Sequence, residues 1–297
     1  MIRQVGIIGL GDMGIGMAKN IIKNGFDLVG YDLRDERLRI LETLGGKVAS
    51  SPQEVGQQAD VVLVMVFNGK QVTQVVAAED GLLQSMRAGS TIIVLATIEP
   101  KEIRSIAQTV LAKGVNLIDA PVSGGKSGAE DGTLTLMAAA KKEIFDANQD
   151  ILGAVGERIF HLGEEIGTGQ TVKAALQAFI GVSFAAIFES LVLGAKAGVK
   201  GETLYKVFSA SGVSSPLFRN CAQLIMDRKF KNTGSHIGTM YKDLGISMAL
   251  AKENGVAMFT TSTAYELFQA GISLFPDEDN WACVKFLEGI AATEVKW

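Results

Sequence analysis

Lys173 and Gln177 stand four positions apart in QTVKAALQAFIGV, a stretch that otherwise reads as buried helix. On a helix that spacing puts both side chains on one face, one turn apart. Together they can offer a proton carrier and an amide to a single substrate hydroxyl. The spacing serves equally well a lysine whose stem packs against apolar neighbours while its head reaches water. Ser123-Gly124-Gly125 follows the strand-like NLIDAPV and brings a hydroxyl beside N–H groups bare of side chains. Such a turn can cradle a carboxylate, or simply end a strand.

A third stretch, Gly9-Leu10-Gly11-Asp12-Met13-Gly14, lies between the strand VGIIGL and the helix MAKNIIKNG. In a G-x-G-x-x-G turn the first glycine makes the bend, the second lets a pyrophosphate approach the backbone, and the third lets helix and strand pack closely. Phosphate then rests on the free N–H groups of the helix N-terminus. The next strand ends in Gly30-Tyr31-Asp32, a carboxylate about 20 residues on that can accept hydrogen bonds from a ribose. An acid there repels a 2′-phosphate and favours NAD; Arg34, two residues later, offers a guanidinium that would tolerate NADP. Hydride transfer from a hydroxy acid needs a hydride acceptor, a base for the hydroxyl proton and a grip on the carboxylate. One candidate for each is present. A lysine partly desolvated beside a cationic ring should have its pKa lowered toward the working range.

These groups need elements to hold them. The first half alternates β-branched runs (VGIIGL, DLVGYD, DVVLVMV, STIIVLAT, VNLIDAPV) with segments apolar at helical spacing, as at Met17, Ile21 and Ile22. That pattern predicts a parallel sheet covered by helices, with right-handed crossovers. After RIFHLGEEIGTG, residues 158 to 169, the β-rich pattern does not return, and a long helix from about Thr171 to Gly198 opens a helical remainder. The expected fold is therefore an α/β Rossmann-type domain over 1–164 and an all-α domain over 165–297.

Composition narrows the functions. A net charge of −4 and 47% hydrophobic content describe an ordinary globular chain with no basic field for nucleic acid. MIRQ runs straight into an apolar strand without the parts of a secretory signal, and the apolar stretch Ala174 to Phe188 is interrupted by Gln177 and short for a bilayer. No membrane partner and a cytoplasmic location are expected. Cys221 and Cys283 form no CxxC pair and read as core thiols; His161 and His236 have no partners at metal-ligand spacing, so no metal is expected.

VGIIGLGDMGIGMAKN at 5–20, DAPVSGG at 119–125, GTGQTVKAALQ at 167–177 and KDL at 242–244, in this order, make the chain resemble the β-hydroxyacid dehydrogenase family, which includes 3-hydroxyisobutyrate, tartronate semialdehyde and threonate enzymes. The resemblance covers essentially the whole length. It implies an NAD(P)-dependent dehydrogenase in which Lys173 is the acid/base and Ser123, Gly124 and Gly125 grip the substrate carboxylate. It also implies that Val66, Phe67 and Gln71 line the dinucleotide path, Thr97 meets the nicotinamide ribose and Lys242 closes over the cofactor. Phe67 stands where relatives often have proline, and Ala96 where serine is common. Gln177 occupies a position that is usually asparagine in 3-hydroxyisobutyrate dehydrogenases and glutamine in sequences resembling threonate dehydrogenase. The implied substrate is thus a four-carbon sugar acid oxidised at C2, with 3-hydroxyisobutyrate or tartronate semialdehyde as the alternative. The alternative of a different class is a dinucleotide-binding protein without this chemistry, against which the intact Lys173 argues. Relatives pair through their helical domains, and the apolar excess at Phe179, Ile180, Phe184, Ile187, Phe188 and Leu191 agrees with a homodimer or homotetramer.

Overall fold

Strands with apolar interiors can be buried on both faces, and here the central ones are. In the computed structural model, which describes residues 3–297, β1 (Gln4–Ile8), β2 (Asp27–Tyr31), β3 (Lys47–Val48), β4 (Val61–Val64), β5 (Thr91–Val94) and β6 (Asn116–Asp119) form one parallel sheet in the order 3-2-1-4-5-6. The expectation of a leaderless start rests partly on Met1 and Ile2, which lie outside the described residues. Pleating sends alternate side chains to opposite faces. Val5, Ile7, Leu63, Ile93 and Ile118 enter one buried cluster, whereas Ile8, Val62, Val64, Ile92 and Val94 enter the other. The crossovers are α1 (Asp12–Lys23), α2 (Asp35–Thr43), α3 (Pro52–Gln58), α4 (Gly69–Ala77) and α5 (Pro100–Ala112).

The sequence pattern read VNLIDAPV as one strand. The chain instead leaves the sheet after Asp119, passes Ala120-Pro121 and pairs again as β7 (Val122–Ser123). There it meets β8 (Leu134–Ala138) antiparallel, and β8 meets β9 (Gly156–His161) parallel, giving a second, three-stranded sheet that the sequence pattern did not reveal. Pro121 has no N–H to continue a ladder, which is a physical reason for the break. Short helices α6 (Gly125–Asp131), α7 (Lys142–Asp146) and α8 (Gln149–Val155) connect these strands.

The rest of the chain is helical: α9 (Thr168–Lys196), α10 (Gly201–Ala210), α11 (Pro216–Met226), α12 (Ile237–Glu253), α13 (Phe259–Leu274) and α14 (Cys283–Ala291). Contacts divide the protein into two compact units, one ending at Lys173 and the other beginning at Ala174. The division falls inside α9, beyond the 164/165 boundary read from the sequence. The first turn of that helix presses on the first unit: a Cβ on Gly169 would lie 2.4 Å from the Met137 carbonyl oxygen. The second unit has its own core around Phe184, Phe188, Phe268 and Trp281, where Phe184 and Trp281 meet edge-on at 5.6 Å between ring centroids.

The helix that holds the apolar stretch Ala174 to Phe188 is longer than that stretch. At 29 residues α9 is long and apolar enough to cross a membrane by length and composition alone, a test that core helices also pass. The polar residues split its apolar run in the sequence but do not end the helix. Both cysteines are buried, and desolvation pushes Cys221 up and Cys283 to about 12, as suits core thiols rather than nucleophiles.

Candidate active site

The turn from β1 to α1 is tight because glycine makes it so. Gly9 has φ +91°, and a Cβ there would sit 2.2 Å from the Met65 carbonyl oxygen; one on Gly14 would sit 1.9 Å from the Gly9 oxygen. Gly11 differs: its Cβ would meet only the Arg34 guanidinium, at 3.8 Å. Packing does not require glycine at 11, but a close-approaching pyrophosphate does. Gly11 also caps α1 without a side-chain bond, so the N–H groups of Gly11, Asp12, Met13 and Gly14 begin the helix with no intrahelical partner. This backbone fits a dinucleotide phosphate. Leu10, wholly buried, serves the core instead, but its N–H donates to Asp32 Oδ2 at 2.7 Å.

That bond fixes Asp32 at the end of β2, where Oδ1 also accepts from the Arg34 backbone N–H (3.0 Å) and Nε (3.2 Å). Asp12 is engaged by Arg37 at 3.1 Å. A guanidinium therefore stands beside the Asp32 carboxylate.

After β4 the chain turns through Val66, half-buried, and Phe67, 48% exposed. The Phe67 N–H donates to Gln71 Oε1 at 2.8 Å, while the Gln71 N–H donates to Asn68 Oδ1 at 2.9 Å. The Gln71 side chain holds this loop. Thr97 follows β5 between Ala96 and Ile98, both essentially inaccessible, and is itself partly exposed. Ser123 ends β7, and Gly124 and Gly125 follow at φ +134° and +62°. Two consecutive glycines at positive φ bare the backbone N–H groups that could hold a carboxylate.

Lys173 is 6% exposed, which removes the reading of a lysine reaching from its helix into water. Gln177, one turn on, is equally buried and donates through Nε2 to Asp243 Oδ2 at 2.5 Å. Lys242 Nζ lies 2.8 Å from Asp243 Oδ1 as an ion pair without hydrogen-bond alignment. Ser247, a turn further along α12, places Oγ within 2.8 Å of the Ala174 carbonyl and 3.1 Å of that of Asp243. Asp243 therefore joins Lys242 to Gln177. Sequence reasoning read KDL for its lysine; the bond from Gln177 to the acid beside it, across 66 positions, was not visible.

Two further residues escaped notice although they lie inside the quoted motifs. Asp119, the first residue of DAPVSGG, and Gln170, in GTGQTVK, are both fully buried and bonded to each other. Burial raises the Asp119 carboxyl to about 6 against the lowering effect of bonds from Gly167 and Gln170. The histidines are structural: His161 bonds the Ala140 carbonyl at 2.8 Å and stacks on Phe145, and His236 caps α12 by accepting from the Gly238 N–H. Among the described residues no three of His, Cys, Asp and Glu gather as a metal site.

Known proteins resemble the chain over nearly its whole length. Residues 4–163 match the NAD binding domain of 6-phosphogluconate dehydrogenase, and residues 167–287 the NAD-binding segment of NADP-dependent 3-hydroxyisobutyrate dehydrogenase. The chain is 32% identical over 294 residues to 2-(hydroxymethyl)glutarate dehydrogenase of Eubacterium barkeri, covering 98% of this chain and 97% of that one. It is 32% identical over 291 residues to L-threonate dehydrogenase of Cupriavidus necator, covering 98% of each. Among solved structures, 3-hydroxyisobutyrate dehydrogenase from Salmonella typhimurium superposes with a TM-score of 0.88 at 32% identity, over 96% of this chain and 99% of that one.

Proposed function

Because the chain belongs to the 3-hydroxyisobutyrate dehydrogenase-related family of NAD(P)-dependent β-hydroxyacid dehydrogenases, which act on CH–OH groups, we propose that it oxidises a four-carbon sugar acid, L-threonate, at C2. The observation that carries the substrate class is the orientation of Gln177. Its amide nitrogen is committed to the Asp243 carboxylate, so its oxygen is the atom left to face a ligand. An acceptor there suits a hydroxyl, which a polyhydroxylated acid has in excess over a methyl-branched one.

NAD, when bound, accepts the hydride from the carbinol carbon. Lys173 is the acid/base: it takes the hydroxyl proton during oxidation and returns it during reduction. The Ser123 hydroxyl and the N–H groups of Gly124 and Gly125 hold the carboxylate. Gly9 to Gly14 hold the pyrophosphate, Asp32 the adenosine ribose, Val66, Phe67 and Gln71 the wall beside it, and Thr97 the nicotinamide ribose. Lys242, fixed by Asp243, closes over the cofactor. Asp32 favours NAD, with Arg34 allowing some use of NADP. Residues to 164 serve the dinucleotide and those from 165 the substrate and self-association, in a cytoplasmic homodimer or homotetramer; the 70% exposed Phe179 and 72% exposed Leu193 on α9 support such pairing.

The test is turnover on a panel: L-threonate, D-erythronate, 3-hydroxyisobutyrate, 2-(hydroxymethyl)glutarate and D-glycerate with NAD and with NADP. A preference for threonate supports the reading, whereas a preference for 3-hydroxyisobutyrate keeps the mechanism and removes the substrate. Gln177→Asn should shift the ranking away from threonate; an unchanged ranking would deny this position its role.

A further inference from the structure

Gln170 holds the backbone on both sides of Thr97. Its Oε1 accepts from the Ile98 N–H at 3.0 Å, and its Nε2 donates to the Ala96 carbonyl at 3.0 Å and to Asp119 Oδ1 at 2.9 Å. The second Asp119 oxygen accepts from the N–H groups of Gly167 (2.9 Å) and Gln170 (3.4 Å), which start α9. A carboxylate at that end of a helix is also favoured by the aligned peptide dipoles. Asp119 lies four residues before Ser123, and Gln170 three before Lys173. One buried pair thus joins the loop of Thr97, the segment leading to Ser123 and the helix of Lys173.

The polarity of the pair admits no alternative. Ile98 can only donate, so Oε1 must face it and Nε2 must face the other two groups. Both of those must accept, which the ionised Asp119 does at both of its oxygens. Inverting the glutamine amide would oppose donor to donor at Ile98 and acceptor to acceptor at Ala96. Burying a carboxylate in this way works against stability, since desolvation dominates its raised pKa. Both side chains are fully buried, and what the arrangement fixes is the register of three segments.

We propose that Asp119 and Gln170 are a positioning pair that sets Lys173 and Thr97 in reacting register, an inference that rests on the roles given to those residues above. Both members are fully buried and act through the segments that they hold.

The experiment uses the full chain with Gln170→Ala, Asp119→Asn and the double variant. Cooperative thermal unfolding establishes folding, ADP binding reports the adenine half of the cofactor site, and amide exchange reads the Ile98 N–H. Gln170→Ala should exchange Ile98 faster, bind ADP as the wild type does and lose about 100-fold in kcat with little change in KM, the size expected of a misplacement near 1 Å. The double variant should be no worse than the poorer single one, because the two act as one unit. A kcat within about threefold of wild type in folded Gln170→Ala would overturn the inference, as would loss of ADP binding in step with kcat or losses that multiply in the double variant. If Asp119→Asn fails to fold, Gln170→Ala carries the test. Wild type that binds NAD yet turns over no hydroxy acid would sink the dehydrogenase reading instead. In that case unchanged Ile98 exchange in Gln170→Ala would separately overturn the clamp.

Discussion

Asp32 directly follows β2 and Asp119 ends β6 in the same parallel sheet, and each accepts backbone N–H bonds from a neighbouring segment. Asp32 keeps a side chain that is 10% exposed and shares its site with a half-exposed guanidinium. Asp119 is sealed, with every oxygen committed to the protein. The carboxyl ends of strands in such a sheet are where ligands bind. Both acids are bonded by the chain, but Asp32 keeps some exposure and Asp119 keeps none. The first should matter to cofactor affinity, the second to geometry and to stability.

The strongest way to break the contrast is at the turn beside Asp32. Gly14→Ala places a methyl 1.9 Å from the Gly9 oxygen, so the β1–α1 turn must open. NAD binding should be abolished and stability should fall by several kcal/mol, on the order of a strained core overpacking; calorimetric titration and urea unfolding check both. Gly11→Ala, whose Cβ meets no backbone, should fold normally while NAD binding is still strongly weakened. Equal damage to folding from both would mean that the loop is only a turn.

Next comes the buried acid. Its carboxyl is raised from 3.8 to about 6, so between those values the native protein holds a proton that the unfolded chain has lost. Below 3.8 the group contributes no pH dependence. As pH rises through 6 it reaches a full cost of about 3 kcal/mol. Wild-type stability relative to Asp119→Asn should therefore decline by about that amount between pH 4 and 7 in urea titrations. A difference independent of pH would contradict the burial argument.

Removing Asp32 deletes an acceptor that a ribose can use. Asp32→Ala should weaken NAD binding by about 2 kcal/mol, the range for hydrogen bonds to a charged group, and raise the relative use of NADP. The smallest effect belongs to Arg34→Ala. A half-exposed ion pair contributes about 0–1 kcal/mol, so unfolding should hardly move. NADP turnover should fall with NAD turnover nearly intact, and an unchanged cofactor ratio would leave Arg34 a surface charge.

Legibility in the sequence followed the same division. The dinucleotide end was readable because G-x-G-x-x-G, the strand before it and Asp32 lie within about 30 consecutive residues, where local rules hold. Lys173 and Gln177 were readable because one helix carries both. The Asp119–Gln170 and Gln177–Asp243 bonds span 51 and 66 positions. No spacing rule pairs residues at such separations; only the folded chain does. The three-stranded sheet was hidden for a related reason. Leu134–Ala138 alternates only briefly, Gly156–His161 is strand-like but shows no partner in the sequence, and β7 has two residues, too few for a pattern. Helix α14 is short and follows a bend at Asn280–Ala282, so its apolar positions lacked a visible start.

The central claim is proton transfer by Lys173 in hydroxy-acid oxidation. Its most direct test is the initial rate of NAD reduction on L-threonate, beside the other acids of the panel, for wild type and Lys173→Ala. The account predicts a wild-type rate that falls by about 10²–10⁴-fold in the variant, the contribution of a positioned acid/base, with NAD binding retained. A variant that keeps its rate, or a wild type that oxidises none of the acids, would contradict it.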